Sequence, residues 1–379
     1  MNCPYMKKCG GCKNIHLPYE KQLEEKQKEV NRLLSSFGRV EPIIGMEDPY
    51  HYRNKVHHVV CQDRRGNGYT GIYAENSHRV IPVEDCLIEN EMADRICKTV
   101  ASLMKSFKMR AYNEDTGQGF LRHILIRTGH MSGQVLVVLV VASPVFPSKN
   151  NFVKALLKVH PEITSIVANV NNRNTSMVLG EKQQVLYGKG YIEDTLCGKH
   201  FRISPKSFYQ VNSVQTEVLY GKAIEYAGLS GKEMVIDAYS GIGTIGMVAA
   251  DRAGRVISIE LNPDAVKDAR ANAKANRIKN ISFLQADAGE QMVKMAARKE
   301  KADVVFMDPP RTGSDKRFID SVARLAPDRV VYISCNPVTL KRDLELFRTR
   351  GYKVRKIQPV DMFPGTAHVE TVCLLTHNG

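Results

Sequence analysis

The stretch "EMVIDAYSGIGTIGMVAA" (233–250) decides the fold of the second half of the chain. Its run Met234–Ala238, apolar except for Asp237, predicts a buried strand, which passes into Gly241-Ile242-Gly243 and then into an apolar helix. Glycines at such a turn permit a tight bend and let a ligand approach the backbone at the N-terminus of a helix. This order of strand, glycine turn and helix predicts a Rossmann-like nucleotide-binding domain.

Two acidic residues at later strand ends indicate which nucleotide-like ligand fits this domain. The next strand ends on Glu260, and "ISFLQAD" delivers Asp287 to the same edge of the sheet. An acid at the end of the second strand can accept hydrogen bonds from both hydroxyls of a ribose. Asp287 could accept a hydrogen bond from an adenine amino group. Together with the glycine turn, these strand ends favour S-adenosylmethionine over NAD.

The following strands carry further polar side chains at their ends. "ADVVFMDPPRTG" ends a strand at Asp308, and a D-P-P tip recurs in methyltransferases that act on planar nitrogenous substrates. Arg311 stands where the enzymes that methylate amines have an aromatic residue, which argues against an amine acceptor. "RVVYISCNPVTL" places Cys335 just past another strand, and Glu370 begins a last apolar strand as a candidate general base.

A thiol, a carboxylate and a methyl donor are the set of groups needed to methylate carbon 5 of a uracil. C5 is a poor nucleophile, but addition of a thiolate to C6 creates an enolate whose C5 can attack a sulfonium methyl group. A base must then remove the C5 proton so that the thiol can leave. Cys335 and Glu370 fit these two roles.

Composition and charge indicate the partner. The 379 residues include 54 Lys and Arg against 40 Asp and Glu, a net charge of +14 that fits a polyanion such as nucleic acid. The longest apolar run, 135–142, is too short to span a bilayer, and the N-terminus lacks the apolar core of a signal peptide. Nine cysteines, an odd number, argue against a disulfide framework. We therefore expect a cytoplasmic protein without membrane association.

Changes of pattern along the chain predict three segments. Residues 1–48 hold the first cysteines and a charged stretch with near-helical apolar spacing. Residues 49–200 consist of short apolar or alternating runs between Gly, Asn and Ser, which predicts a β-rich central domain. Residues 201–379 alternate helix and strand patterns, which predicts βαβ units and a parallel sheet. The predicted fold class is α/β.

The chain resembles the RNA uracil-C5 methyltransferases, which make 5-methyluridine in tRNA or 23S rRNA, over nearly its whole length. The motifs that carry the resemblance are "SFYQVN" (207–212), "DAYSGIGT" (237–244), "DPPRTG" (308–313), "SCNP" (334–337) and "DMFPGTAHVE" (361–370). The resemblance implies that Cys335 is the nucleophile and Glu370 the proton acceptor. It also implies that S-adenosylmethionine is held by Gln210, Tyr239, Glu260 and Asp308. The full predicted cofactor set adds Gly241, Gly243, Thr244 and Asp287.

The resemblance further implies that the central domain binds RNA. "YRNKV" (52–56) and "LRHILIR" (121–127) would belong to that domain. Many members carry a small N-terminal β-barrel that grips RNA, whereas this chain starts at its cysteines with no segment for one. We therefore expect RNA affinity to come from the central domain and the basic catalytic surface, or from a partner.

The chain begins with a candidate metal site, because Cys3, Cys9 and Cys12 follow a C-x5-C-x2-C spacing. A four-cysteine site of this kind could hold a structural zinc ion or a [4Fe–4S] cluster. Family members with this pattern bind a [4Fe–4S] cluster with a fourth, downstream cysteine, which implies Cys86 in "IPVEDCLIEN". The expected role is structural, with the N-terminus tied to the β-rich domain.

The sequence thus predicts a monomeric, S-adenosylmethionine-dependent RNA (uracil-5-)methyltransferase. Its target would be 23S rRNA, the commoner bacterial target of the clustered-cysteine members, and tRNA stays open. RNA cytosine-C5 methylation also uses a thiol, but its usual nucleophile follows a proline, unlike Cys335. An iron–sulfur RNA-binding protein without catalysis is the alternative of another class, and the joint presence of Cys335 and Glu370 speaks against it.

Overall fold

The computed structural model describes residues 3–74, 77–175 and 177–377. Its helices are α1 (Met6–Cys9), α2 (Tyr19–Leu34), α3 (Glu91–Ser106), α4 (Lys149–Val159), α5 (Ser213–Ala227), α6 (Thr244–Ala250), α7 (Pro263–Ala275), α8 (Ala288–Ala297), α9 (Lys316–Leu325) and α10 (Pro337–Arg348). Its strands are β1 (Lys55–Gln62), β2 (Gly68–Tyr73), β3 (Val80–Pro82), β4 (Leu121–Thr128), β5 (Val135–Val141), β6 (Ile163–Val170), β7 (Lys182–Tyr187), β8 (Ile192–Leu196), β9 (Lys199–Ile203), β10 (Met234–Ala238), β11 (Arg255–Glu260), β12 (Ile281–Gln285), β13 (Val304–Met307), β14 (Arg329–Ser334), β15 (Tyr352–Val360) and β16 (Glu370–His377). Within the described ranges, no helix combines the length and the apolar character needed to cross a bilayer.

The chain divides into two compact units. The first unit comprises Met1–His16, Pro49–Thr195 and Phe201–Lys206, and the second comprises Leu17–Asp48, Leu196–His200 and Ser207–Gly379. Residues 1–48, which the sequence pattern groups as one segment, are therefore shared between the units. The cause is α2, whose apolar side chains Val30, Leu33 and Leu34 are buried in the core of the second unit.

A seven-stranded sheet in the order β3-β2-β1-β4-β5-β6-β7 forms the centre of the first unit. All neighbouring strands are antiparallel except β5 and β6. Both β4 and β5 are buried along their whole length. The continuous apolar run of β5 accounts for its burial, whereas β4 also buries Arg122, His123 and Arg127. Helix α3 covers this core with Ile96, Val100 and Met104, which are four residues apart and lie on one face.

A second seven-stranded sheet, in the order β12-β11-β10-β13-β14-β16-β15, forms the centre of the second unit. Strands β12, β11, β10, β13 and β14 are parallel, whereas β16 is antiparallel to both β14 and β15. Parallel strands end at one edge of a sheet, where ligands of this fold bind. Because β16 runs the other way, its first residue, Glu370, lies at that same edge. The predicted α/β, Rossmann-like fold is confirmed.

Candidate active site

A cavity of about 350 Å³ lies in the second unit where the parallel strands end, and we call it the strand-end cavity. Eight of the ten predicted catalytic and cofactor residues line it: Gln210, Tyr239, Gly241, Thr244, Glu260, Asp308, Cys335 and Glu370. The other two, Gly243 and Asp287, are not among its lining residues. The fold thus brings together side chains that are up to 160 residues apart in the sequence.

The turn after β10 depends on its two glycines. Gly241 and Gly243 have φ angles of +55° and +83°, in the left-handed region that favours glycine. A Cβ on Gly243 would lie 2.8 Å from Met247 Cε and 2.9 Å from Phe283 Cε1, so this position also needs a residue without a side chain. Gly243 is the N-cap residue of α6. Its part in the site is therefore to shape the turn and not to line the cavity.

Tyr239 has a left-handed backbone, with a φ of +66°, although it is not a glycine. Its hydroxyl lies 3.0 Å from Ser314 Oγ, and its ring packs on Phe318 with the two centroids 5.3 Å apart. A non-glycine residue in this region is strained and persists only when its surroundings hold it. These two contacts hold Tyr239 in place on the wall of the cavity.

Glu260 is oriented by the backbone around it. Its Oε2 accepts a hydrogen bond from the Gly241 N–H at 2.8 Å, and its Oε1 accepts one from the Asn262 N–H at 2.7 Å. An ionised carboxylate offers about four lone-pair positions, so each oxygen can accept one further hydrogen bond. Glu260 can therefore receive a pair of ribose hydroxyls while its orientation stays fixed.

Asp287 has a different local role. Its side chain is exposed and caps α8, where Oδ1 accepts a hydrogen bond from the Glu290 N–H at 2.9 Å. Aspartate is among the preferred residues at the N-cap of a helix, and this preference explains its position after β12. The strand pattern placed it at the right edge of the sheet but did not reveal the cap.

Two aspartates, Asp237 in β10 and Asp308 directly after β13, have perturbed acidities. Burial raises the pKa of Asp237 and of Asp308 to about 7 in each case. Asp237 accepts hydrogen bonds from the Gly246 N–H at 2.9 Å and the Ser258 hydroxyl at 3.3 Å, so it joins the start of α6 to the sheet. Asp308 lines the cavity, where its charge can respond to a ligand.

Cys335 and Glu370 are brought together by the register of two strands. Ser334 of β14 pairs with Thr371 of β16 in an antiparallel ladder. Cys335 directly follows Ser334 and Glu370 directly precedes Thr371, so both residues lie at the same end of this ladder. Both line the strand-end cavity, with Cys335 half-buried and Glu370 buried.

The pKa values of these two groups are linked. Burial and the nearby Glu370 raise the pKa of the Cys335 thiol to about 11. Burial and repulsion from Asp308 raise the pKa of Glu370 well above its usual range, and the Arg311 guanidinium opposes both shifts. Glu370 Oε2 is buried and has no hydrogen-bond partner in the described part of the chain. A buried polar atom of this kind is costly, and it is typical of a group that meets its partner during function.

Two phenylalanine residues without a predicted role also line the strand-end cavity. Phe208 is 67% exposed, which is unusual for a large apolar side chain, and Phe363 lies on the same cavity wall. Both belong to the motifs "SFYQVN" and "DMFPGTAHVE" that were read from the sequence. Position within those motifs was the available signal, but apolar character alone could not separate them from core residues.

The first unit contains a second, smaller cavity of about 30 Å³, which we call the cysteine pocket. Cys3, Cys9, Cys12 and Cys86 all line it. The Gly11 N–H donates to Cys9 Sγ at 3.4 Å, and the Cys86 N–H donates to Asp94 Oδ2 at 3.1 Å. Burial raises the pKa of Cys9, Cys12 and Cys86, and that of Cys12 reaches about 12, in part because Cys9 and Cys3 are close. Four half-buried thiols around one pocket fit a thiophilic metal centre, which would bind them as thiolates.

Comparisons with known proteins agree with this geometry. The family model for tRNA (uracil-5-)-methyltransferase matches residues 18–378. An uncharacterized RNA methyltransferase of Halalkalibacterium halodurans is 42% identical over 98% of this chain and 82% of its own length. One of Caldanaerobacter subterraneus is 43% identical over 98% of this chain and 83% of its own length.

A solved structure has the same fold. It is the tRNA (uracil-54, C5)-methyltransferase of Pyrococcus abyssi in complex with S-adenosyl-L-homocysteine, with a TM-score of 0.81 and 29% identity over 97% of this chain and 86% of that one. The predicted enzyme class, an S-adenosylmethionine-dependent RNA (uracil-5-)methyltransferase, is confirmed by these matches. The chain belongs to the tRNA (uracil-5-)-methyltransferase family.

Proposed function

We propose that this chain transfers the methyl group of S-adenosylmethionine to C5 of a uridine in RNA through a transient bond between Cys335 Sγ and C6 of the uracil. One observation carries the proposal: a thiol and a buried carboxyl group lie in the same cavity as the strand ends that fit the methyl donor. In a uracil-C5 methyltransferase, these are the groups that can activate C5 and then remove its proton.

We infer that the methyl donor is held along the ends of β10, β11 and β13. Glu260 would accept hydrogen bonds from the ribose hydroxyls, since both of its oxygens are already oriented by backbone N–H groups. The remaining contacts would come from Gln210, Tyr239, Gly241, Thr244 and Asp308. A positively charged sulfonium would favour the ionised form of Asp308. An adenine contact by Asp287 would have to use the oxygen that does not cap α8.

The proposed reaction begins when the Cys335 thiolate adds to C6 and the electrons of the C5–C6 double bond move to form an enolate. C5 then attacks the methyl carbon, and its bond to the sulfonium sulfur breaks to release S-adenosylhomocysteine. Glu370 takes the proton from C5, the C5–C6 double bond forms again, and the bond between C6 and Cys335 Sγ breaks. A carboxylate with a raised pKa is a stronger base than an ordinary one, which suits this step.

For the cysteine pocket we propose a [4Fe–4S] cluster held by Cys3, Cys9, Cys12 and Cys86. The alternative is zinc, whose bonds to sulfur of about 2.3 Å would bring the four sulfurs within about 4 Å of one another. Among the described residues, three possible metal-binding atoms lie within 4.8 Å of one another at His58, Glu89 and Asp94. No three of the four cysteine sulfurs, all of which belong to the described part of the chain, form such a close group. Wider spacing of the sulfurs suits a four-iron cluster better than a single ion. Such a cluster would supply a structural cross-link between the N-terminal segment and the turn that carries Cys86.

We further propose that the substrate is 23S rRNA and that the enzyme acts in the cytoplasm as a monomer. The resemblance to the clustered-cysteine members favours rRNA, and the net charge of +14 suits either RNA. The solved relative from Pyrococcus abyssi is a tRNA enzyme, so tRNA is the alternative.

Mapping of 5-methyluridine by mass spectrometry tests the substrate. Both rRNA and tRNA would be digested from a strain lacking the gene and from the same strain carrying either the wild-type gene or the Cys335→Ala variant. We expect a 23S rRNA position to lose its methyl group in the deletion and in the variant, and to regain it with the wild type. Loss of methylation only in tRNA would assign the alternative substrate.

A further inference from the structure

We propose that a third cavity, in the first unit, binds a guanine base of the RNA other than the target uridine. This inference rests on the proposed function in that the bound molecule is the RNA substrate. The cavity has a volume of about 260 Å³ and lies between β1, β2 and β3 and the segment 111–115. We call it the tyrosine cavity, because Tyr69, Tyr73 and Tyr112 line it.

The walls of the tyrosine cavity are aromatic. Tyr73 and His78 lie with their ring centroids 5.8 Å apart, and both line the cavity. Tyr112 is held from one side by the Arg122 guanidinium, whose central carbon is 4.4 Å from the ring centroid. Proteins that read single-stranded RNA stack its bases on aromatic side chains that are fixed in this manner. The walls therefore suit a planar base.

The edge of the cavity is acidic. Glu114 and Asp115 both line it, and Glu114 is fixed by Arg122, whose Nη2 donates to its two oxygens at 2.9 and 2.7 Å. Asp115 is exposed, and its N–H donates to Asn113 Oδ1 at 2.8 Å, which orders the turn. Tyr73 lines the same cavity as these two acids, and burial, with further contributions from Glu114 and Asp115, raises its pKa.

This acidic edge selects among the four bases. Guanine presents two adjacent donors, N1–H and the N2 amino group, which match the two oxygens of one carboxylate. Adenine and cytosine present a single amino donor beside an acceptor nitrogen, and an acceptor facing a carboxylate is repelled. Uracil presents one N–H group between two carbonyl oxygens. The exposed Asp115 is therefore the group that we expect to pair with guanine, in a charge-assisted and bidentate manner.

The rim of the cavity can hold the RNA backbone. Arg79 directly follows the lining residue His78, and Arg110 directly precedes the lining residue Ala111. Both arginines are exposed, as are Arg64 and Arg65 in the turn between β1 and β2. Phosphate contacts position an RNA, whereas contacts to base edges specify it. The acidic interior would repel a phosphate, so a base is the part of the nucleotide that fits inside.

Binding of short RNAs tests this inference without any methyl transfer. The probes are fluorescent 11-nucleotide oligouridylates with one central guanosine, inosine or adenosine, and binding is followed by fluorescence anisotropy at a fixed salt concentration. Inosine lacks the N2 amino group of guanosine and so removes one donor. We expect the wild type to prefer guanosine over inosine by about tenfold, as for a charge-assisted hydrogen bond.

The variant Asp115→Asn should reduce this preference to near unity, because the amide cannot accept both hydrogen bonds. The matched control is Asp85→Asn, which alters another exposed aspartate of the first unit outside the cavity and should keep the preference. Tyr73→Ala should weaken binding of the guanosine probe by about tenfold through lost stacking, and Tyr73→Phe should not.

An equal affinity of the wild type for all three probes would overturn the inference, as would a preference that survives in Asp115→Asn. The proposed function is judged separately by the dependence of 5-methyluridine formation on Cys335. If methylation depends on Cys335 but the probes bind alike, only the guanine site fails. If the probes are distinguished but no 5-methyluridine forms, only the proposed reaction fails.

Discussion

Lys26 and Asp361 are 335 residues apart in the sequence and form an ion pair, with Nζ and Oδ1 separated by 2.6 Å. Both side chains are almost completely buried. Lys26 also donates to the Phe363 carbonyl at 3.0 Å, and Tyr19 donates to the other Asp361 oxygen at 2.9 Å. The pair thus fastens α2 to the loop that carries Phe363 and leads to Glu370.

Replacement of Lys26 by methionine should destabilise the protein strongly. The variant leaves the Asp361 charge buried without its cation, which typically costs about 3–5 kcal/mol. The control is Lys21→Met, whose pair with Glu24 is 61% exposed on both sides and should contribute little to the free energy of unfolding. Urea unfolding of both variants measures the difference, and equal losses would contradict the assigned role of the buried pair.

Replacement of Cys335 by alanine should abolish methyl transfer and leave S-adenosylmethionine binding nearly unchanged. Residual turnover should stay below about a thousandth of the wild-type rate, because C5 cannot react without addition at C6. Calorimetry reports binding, and labelled methyl groups report transfer. Cys197→Ser is a matched control, since Cys197 is also half-buried with its pKa raised to about 11 but does not line the strand-end cavity. Similar losses in both variants would refute the nucleophile.

Replacement of Glu370 by glutamine should stop the reaction after methyl transfer. The amide cannot take the C5 proton, so the methylated uracil stays bonded to Cys335. A denaturing gel with RNA and methyl-labelled cofactor should show a slowly migrating protein–RNA band that carries the label. The double variant with Cys335→Ala should show no such band. Normal turnover of Glu370→Gln would mean that a group other than Glu370 removes the C5 proton.

Replacement of Arg311 by glutamine should slow the alkylation of Cys335. Only the thiolate reacts, so with a pKa of about 11 the rate should rise through the pH range from 7 to 10. Arg311 lowers this pKa, and its removal should raise it further and reduce the thiolate fraction at any pH in that range. Iodoacetamide labelling of the Cys335 peptide, followed by mass spectrometry, measures the rate. As a control, Arg317→Gln should leave the rate unchanged. A faster reaction in Arg311→Gln would show that Arg311 does not lower the pKa of Cys335.

Anaerobically purified protein should be brown and contain about four iron atoms per chain, as a four-cysteine cluster requires. Cys12→Ser should lose most of this iron, whereas Cys61→Ser, in the same unit but outside the cysteine pocket, should keep it. Metal analysis by mass spectrometry provides the count. If the protein is colourless and contains one zinc ion, the cluster assignment is wrong, and the same four cysteines would be ligands of zinc.

The order of strand ends along the sequence was sufficient to predict much of the site. A parallel sheet brings its strand ends to one edge, so the Gly241–Gly243 turn, Glu260 and Asp308 could be grouped before their distances were known. Cys335 could be added by the same rule. The pairing of β16 with β14 was not readable from strand patterns. Glu370 could still be named as a candidate base from its position at the start of the last apolar strand, and the resemblance to the family implied the same role.

Contacts between distant segments could not be predicted. Nothing local in "YEKQLEEKQKEV" marks Lys26 as a buried cation, because the surrounding lysines and glutamates look alike in sequence. The helix cap formed by Asp287 was missed for another reason. The end of β12 and the start of α8 lie together there, and a carboxylate in this position can either bind a ligand or cap the helix. The tyrosine cavity is lined by residues of β2 and of a segment about 40 residues later, so no single sequence motif predicts it.

The ladder between β14 and β16 also limits how this enzyme can be re-engineered. Cys335 and Glu370 reach the same cavity because six consecutive pairs, from Arg329 with Thr376 to Ser334 with Thr371, keep the two strands in register. A single residue inserted within β16 would turn the carboxyl group to the other face of the sheet, although every side chain would be retained. Changes in the length of the connection between α10 and β15 do not alter the number of residues within β14 or β16. The position of Glu370 thus depends on the length of the strands and not on the length of that connection.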